Sequence, residues 1–211
     1  MEVQSNPNEH HHEAVLKLQA LFRGKRSRDI HTSRVRKGLL TSPYYITPLS
    51  VIERMIVGAS IGPKDLVIDL GCGKGSILIE SARCAGAQCI GFDIDMVLLR
   101  EAKRQRNDHG TESRVDLVAQ DIFKVNLKLA TVLLIFLVPS MLHELAPRLQ
   151  EQLQPGSRIV SYHFPIPGME PCRIEEGLQD PLKENSTTSL YFYTILSDPP
   201  VVSGASSSGP I

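Results

Sequence analysis

From residue 49 to residue 195 the chain alternates short β-branched apolar runs with longer stretches of helical spacing. Leu66-Val67-Ile68, Gln88-Cys89-Ile90-Gly91-Phe92, Val115-Asp116-Leu117-Val118-Ala119, residues 131–138 and residues 158–163 read as buried strands. The fourth of these is apolar on both faces, as a central parallel strand requires. Residues 49–59, the stretch from Ser76 to about Cys84, and residues 97–107 read as amphipathic helices. A further helix begins near Ser140 as its cap, with Pro147 kinking or restarting it. Residues 189–195 read as a last strand, and residues 171–189 as the one insertion that could supply a lid. Strands alternating with helices predict an α/β fold, a doubly wound, mostly parallel Rossmann-like sheet.

The chemistry is concentrated at Asp69-Leu70-Gly71-Cys72-Gly73-Lys74-Gly75, between the first strand and its helix. Glycines at 71, 73 and 75 let the backbone turn sharply and approach a ligand without Cβ atoms in the way. A strand, a glycine turn and a helix N-terminus make a nucleotide-type cofactor site. The dinucleotide fingerprint needs glycine at 76, where Ser76 stands, and the phosphate-binding G-x-x-x-x-G-K-[ST] loop is absent. D-x-G-x-G-x-G resembles instead the first motif of class I S-adenosylmethionine (SAM) methyltransferases. Asp93 ends the second strand 24 residues after Asp69, near the spacing at which such sites place an acid on the ribose hydroxyls. Asp95 is directed elsewhere by strand alternation.

The N-terminal end has a different character. Residues 1–13 are polar and read as a disordered tail, in which His10-His11-His12 are expected to bind nothing. Between 15 and 40 there are eight Lys or Arg against the single acid Asp29, although the whole chain is neutral. Val15, Leu18, Leu21 and Phe22 fall at helical spacing among these bases, which makes residues 14–40 a basic helical extension. Leu18-Gln19, then Arg23-Gly24, then Arg28 match [IL]-Q-x-x-x-R-G-x-x-x-R, so the stretch 15–28 resembles the IQ motif that binds calmodulin or calmodulin-like light chains. Apolar residues would fill a partner's groove while Arg23 and Arg28 meet its carboxylates. A helix packed on the domain and a transit peptide are the alternatives; Glu2, Glu9 and Glu13 weigh against the second.

No apolar run reaches the roughly 20 residues of a transmembrane helix. The four cysteines form no paired or metal-binding pattern, which suits an intracellular, reducing compartment, cytoplasmic or mitochondrial. The basic face of 97–107 lacks the aromatic platform of a nucleic-acid site. Residues 198–211 are rich in Pro, Ser and Gly and read as a second tail, which leaves 41–197 for the domain.

Three further stretches narrow the resemblance. Tyr44-Tyr45-Ile46-Thr47-Pro48, Phe136-Leu137-Val138-Pro139-Ser140 and His163-Phe164-Pro165-Ile166-Pro167 look like segments of the lysine methyltransferases that act on the mitochondrial ATP synthase c subunit and the adenine nucleotide translocase. Ile46 departs from that family's proline, and the IQ-like helix stands where the family has a membrane-associating segment. The resemblance implies SAM as cofactor, held by Tyr45, Thr47, Asp69, Gly71, Cys72, Gly73, Asp93, Gln120, Asp121 and Ile122, with Asp121 accepting the adenine amino group. It implies a protein lysine as acceptor, lined by Phe136, Pro139, Ser140 and Phe164. A small-molecule methyltransferase and a non-catalytic scaffold with a degenerate fold are the other readings.

Overall fold

The computed structural model describes residues 44–180, 182, 183 and 185–196. The basic segment and both predicted tails lie outside the described residues.

The sequence Leu66–Leu70 forms β1, and all five of its residues are buried. A strand enclosed on both faces needs a helical layer on each side, and the two layers divide its residues by alternation. Leu66, Ile68 and Leu70 join Leu133, Ile135 and Ile159 on one face, packed against Leu142, Leu145 and Leu149. Val67 joins Val132, Leu134 and Val160 on the other, against Ile52, Met55, Leu78 and Ala82.

Around β1 the elements in chain order are α1 (Leu49–Gly58), α2 (Ser76–Ala85), β2 (Gln88–Asp93), α3 (Met96–Asp108), β3 (Val115–Ala119), a 3-10 turn (Ile122–Lys124), β4 (Val132–Ile135), α4 (Pro139–Gln152), β5 (Arg158–Tyr162), β6 (Arg173–Gln179) and β7 (Thr187–Thr194). The sheet has seven strands in the order β3-β2-β1-β4-β5-β7-β6. The first five run parallel, and β7 is antiparallel to both β5 and β6.

Four expectations are corrected. The fourth strand is four residues long, not 131–138. Pro139 opens α4, and Val138 before it is extended at ψ 154°, so the chain must leave the sheet after Ile135. Val138, not Ser140, is therefore the residue at the cap: its carbonyl accepts the Met141 and Leu142 N–H groups at 3.0 and 3.1 Å. Helix α4 also continues through Pro147 without restarting there. Pro147 and His143, whose carbonyl loses its helical donor, both lie on the solvent face, where water replaces the missing bond. Finally, the segment read as an insertion supplies strand β6, which hairpins onto β7 and completes the sheet.

The end of the sheet where the strands begin is fastened by one polar cluster. Thr131 Oγ1 accepts the Leu66 N–H at 2.9 Å and donates to Asp65 at 2.7 Å. The Arg158 guanidinium bonds to Asp65 and to the carbonyls of Ala59 and Ser60. β1, β4, β5 and the end of α1 are thereby held together, and the opposite edge is left for chemistry.

Candidate active site

The C-terminal ends of five parallel strands meet at that opposite edge, the usual place for a ligand in an open α/β sheet. Gly71, Gly73 and Gly75 all have positive φ, at 83°, 52° and 77°. The turn is locked onto β2: the Gly71 and Cys72 N–H groups both donate to the Phe92 carbonyl, at 2.8 and 3.1 Å. Gly75 donates to the Cys72 carbonyl at 2.8 Å and is the left-handed cap of α2. A Cβ on Gly73 would lie 2.5 Å from the Tyr44 ring, so the entry segment passes directly over the turn. Lys74 Nζ lies 5.6 Å from the centroid of that same ring.

Two buried acids flank the turn. Asp93 accepts the Gly73 N–H at Oδ2 and the Asp95 N–H at Oδ1, both at 2.8 Å. Its carboxyl is nevertheless held above the usual carboxylate range, because burial outweighs these hydrogen bonds. Asp69, fully enclosed on β1, is pushed up to about 8, first by burial and then by the charge of Asp93. Asp95 lies beyond the end of β2, so strand alternation does not decide its direction; it caps α3 by accepting from Val97 and Leu98 at 2.7 and 3.2 Å.

The other predicted cofactor residues fall at the same edge with different roles. Gln120 donates its N–H to the Asp93 carbonyl at 2.9 Å, tying β3 to β2. Asp121 is buried at the N-terminus of the 3-10 turn; its Oδ1 accepts the Phe123 N–H at 3.1 Å and its Oδ2 lies 4.0 Å from Lys124 Nζ. Ile122 is buried in the core beside it. Thr47 is buried, and Tyr45 is half-open with its ring 6.2 Å from that of Phe136. The Cys72 side chain packs downward: a Cβ on Gly91 would lie 2.6 Å from its Sγ. Only the Cys72 backbone belongs to the turn's outer surface.

On the β4–β5 side, aromatic rings gather. Phe136 lies 4.8 Å from Tyr162 and 6.4 Å from His163, whose ring stands edge-on to Phe164 at 4.2 Å. Pro139 and Ser140 are exposed at the first turn of α4. Four of these residues were predicted; Tyr162 and His163 were not. Tyr162 reads as an ordinary strand residue. The feature that sets His163 apart, a left-handed φ of 73°, does not follow from a single histidine in the sequence, because most histidines have negative φ even though the residue tolerates positive φ better than most.

The arrangement fits S-adenosylmethionine. The turn is built where Cβ atoms have no room, and two enclosed carboxylates, one of them raised to about 8, suit a ligand that carries positive charge and hydroxyls. This sheet order with a D-x-G-x-G-x-G turn at its switch point defines a class I SAM-dependent methyltransferase.

The relatives agree. Residues 69–173 match the ANTKMT methyltransferase domain family. Over 157 residues the chain is 34% identical to the "Protein-lysine N-methyltransferase" of Saccharolobus islandicus (strain REY15A), covering 72% of this chain and 93% of that protein. It is 31% identical over 108 residues to the "Adenine nucleotide translocase lysine N-methyltransferase" of Mus musculus, covering 51% of this chain and 47% of that relative, so it spans about half the mouse protein's length. Among solved structures it resembles an RNA methyltransferase from Salinibacter ruber in complex with S-adenosyl-L-homocysteine. The TM-score there is 0.67 and the identity 32%, covering 74% of this chain and 97% of that one. The chain belongs to the class I SAM-dependent methyltransferases. Its cofactor is SAM. Among the described residues no helix is long and apolar enough to cross a membrane.

Proposed function

We propose that this enzyme methylates the ε-amine of lysine in protein substrates. The observation that carries this reading is the row of aromatic side chains at the β4–β5 edge, Tyr45, Phe136 and Phe164, backed by the buried Tyr162. Aromatic faces attract an alkylammonium, and an apolar wall favours its neutral, nucleophilic form. The names of the archaeal and mouse relatives point the same way.

When bound, SAM supplies a methyl on a sulfonium, already an activated leaving group. The protein's part is then positioning and exclusion of water. In this reading Gly71, Cys72 and Gly73 offer backbone to the cofactor, Asp93 its ribose hydroxyls an acceptor, and Asp69 a counter-charge. Gln120, Asp121 and Ile122 border the adenine, Tyr45 and Thr47 close over the site, and Phe136, Pro139, Ser140 and Phe164 line the approach of the lysine.

A small-molecule acceptor would be favoured by a lid. The one stretch that could supply it, 171–189, instead contributes β6 to the sheet. RNA is the acceptor that the Salinibacter ruber methyltransferase is named for, and it is an arm of the test. The IQ-like segment, Leu18, Gln19, Phe22, Arg23, Gly24 and Arg28, is proposed as a docking helix for a calmodulin-like light chain. Retention on calmodulin resin, lost in Arg23→Ala/Arg28→Ala, tests it.

The deciding experiment is transfer of labelled methyl from SAM into a cell extract by the wild type and by Asp93→Ala, with protein, RNA and small molecules read separately. Label in protein lysine, lost in the variant, is the expected result. Label confined to RNA or to small molecules overturns the lysine reading and leaves the methyltransferase assignment standing.

A further inference from the structure

His163 has a setting that packing alone does not explain. It follows β5 directly, at φ 73°, a left-handed conformation that costs any side chain bearing a Cβ. The surrounding chain holds it there. Its N–H donates to the Ser189 carbonyl at 3.0 Å on β7, and Ser161 Oγ donates to the Phe164 carbonyl at 2.7 Å, closing the turn. The ring therefore stands within the aromatic group, edge-on to Phe164 and Tyr162 and 6.4 Å from Phe136.

The imidazole also faces a carboxylate. Its Nδ1 is buried and lacks a hydrogen-bond partner among the described residues, while Asp180 Oδ1, just beyond β6, lies 3.7 Å away. Asp180 is itself fixed by the Leu182 N–H, which it accepts at 2.8 Å. The His163 side chain is 14% exposed and that of Asp180 9%, so with Nδ1 fully buried the ring's contact with solvent lies on its other atoms. Besides Asp180, the titratable groups facing this ring are Tyr162 and, across Phe136, Tyr45. Burial and the charge of Asp180 push the Tyr162 phenol up to about 12, so it stays neutral.

We propose that His163, with Asp180 as its positioning residue, takes the proton from the acceptor ammonium before methyl transfer. The ammonium proton passes to Nε2, and Asp180 stabilises the resulting imidazolium through Nδ1–H, the division of labour in other His–carboxylate pairs. The freed amine then forms its N–C bond to the methyl carbon as the C–S bond breaks. The electron pair goes to sulfur, S-adenosylhomocysteine leaves neutral, and the imidazolium returns its proton to water. Apo hydrogen bonds of this kind are commonly long and shorten when the substrate is in place. A residue pair brought together from the ends of β5 and β6 thus gives the hairpin a role in catalysis. The inference rests on the amine-acceptor reading above.

The test uses the full chain, with hypomethylated cell-extract protein as acceptor and labelled SAM at saturation, from pH 7 to pH 9.5. His163→Gln should lose about 100-fold in rate at pH 7 and Asp180→Asn about tenfold. Both deficits should shrink about tenfold per pH unit, because free lysine amine rises by that factor below its ordinary pKa of about 10.4. Both variants should keep the wild-type melting shift with SAM. In 15N-labelled protein saturated with S-adenosylhomocysteine, NMR should find neutral His163 protonated on Nδ1, and Asp180→Asn should lose that preference. A deficit constant across pH, an undiminished rate in His163→Gln, or an Nε2–H tautomer in the wild type overturns the base role alone. Label in no protein, even with wild type, overturns the amine-acceptor reading and the base role with it.

Discussion

Asp93 Oδ2 accepts the backbone N–H of Gly73 at 2.8 Å, so the acid at the end of β2 ties down the glycine turn that follows β1. Its second oxygen does the same for Asp95 at the start of α3. One carboxylate thus orders two loops and still has lone pairs directed at the edge where ribose hydroxyls are expected.

Asp93→Ala is expected to abolish the SAM-induced rise in melting temperature. It should also destabilise the unliganded protein by about 2 kcal/mol, because one buried and one part-buried N–H group lose their acceptor. For a domain of this size that is a fall of roughly 4–8 °C. Calorimetric scans with and without SAM measure both effects. A variant that melts lower and yet shifts normally with SAM would remove Asp93 from the ribose site.

Asp69 makes the stability of the unliganded protein depend on pH. Its carboxyl titrates near 8 when folded and, unfolded, in the ordinary range of about 3.9. Between those values the folded state binds the extra proton, so the contribution of Asp69 is full below pH 4 and is lost progressively as pH rises to about 8. Asp69→Asn should flatten that decline in denaturant titrations. A bound cation favours the carboxylate, so SAM binding at pH 7 should release a proton and tighten towards pH 8. Titration calorimetry in buffers of different ionisation enthalpy reads the released proton, which Asp69→Asn should eliminate.

Gly91→Ala should be poorly tolerated although it lies in the middle of a strand. The added methyl would stand 2.5 Å from Leu78 Cδ1 and 2.6 Å from Cys72 Sγ, between β2 and α2. Overpacking of this kind costs about 1–3 kcal/mol. Gly91→Ala/Cys72→Ala should recover only part of the loss in thermal melts, since the clash with sulfur is removed while Leu78 Cδ1 at 2.5 Å and the Cβ of residue 72 at 2.8 Å remain.

Arg158→Met should lower the melting temperature with little effect on SAM affinity. The guanidinium bonds Asp65 and the Ala59 and Ser60 carbonyls at the end of the sheet remote from the glycine turn. Loss of charge-assisted hydrogen bonds there costs about 1.5–3 kcal/mol. Equal SAM binding constants for variant and wild type would separate this fastening from the site.

What the sequence by itself determined was set by local pattern. The alternation of apolar runs and the turn residues of Asp69-Leu70-Gly71-Cys72-Gly73-Lys74-Gly75 are enough to specify β1, α2, β2, α3 and β3 and the cofactor edge they share, because each rests on residues a few positions apart. Asp93 was legible for the same reason: it ends a recognisable strand at a fixed distance from the turn. The β6 strand, RIEEGLQ, was not legible. It is a charged strand at the sheet's edge, its fit comes only from pairing with β7, and its two-residue periodicity is broken by the irregularity between Glu175 and Leu178. The fate of Pro147 depended on which face of α4 meets the core, a tertiary fact. The same holds for His163 and Asp180, 17 positions apart in the chain. Only the return of the chain through β6 brings the carboxylate to 3.7 Å from Nδ1, and no spacing rule encodes a contact made by the closing of a sheet.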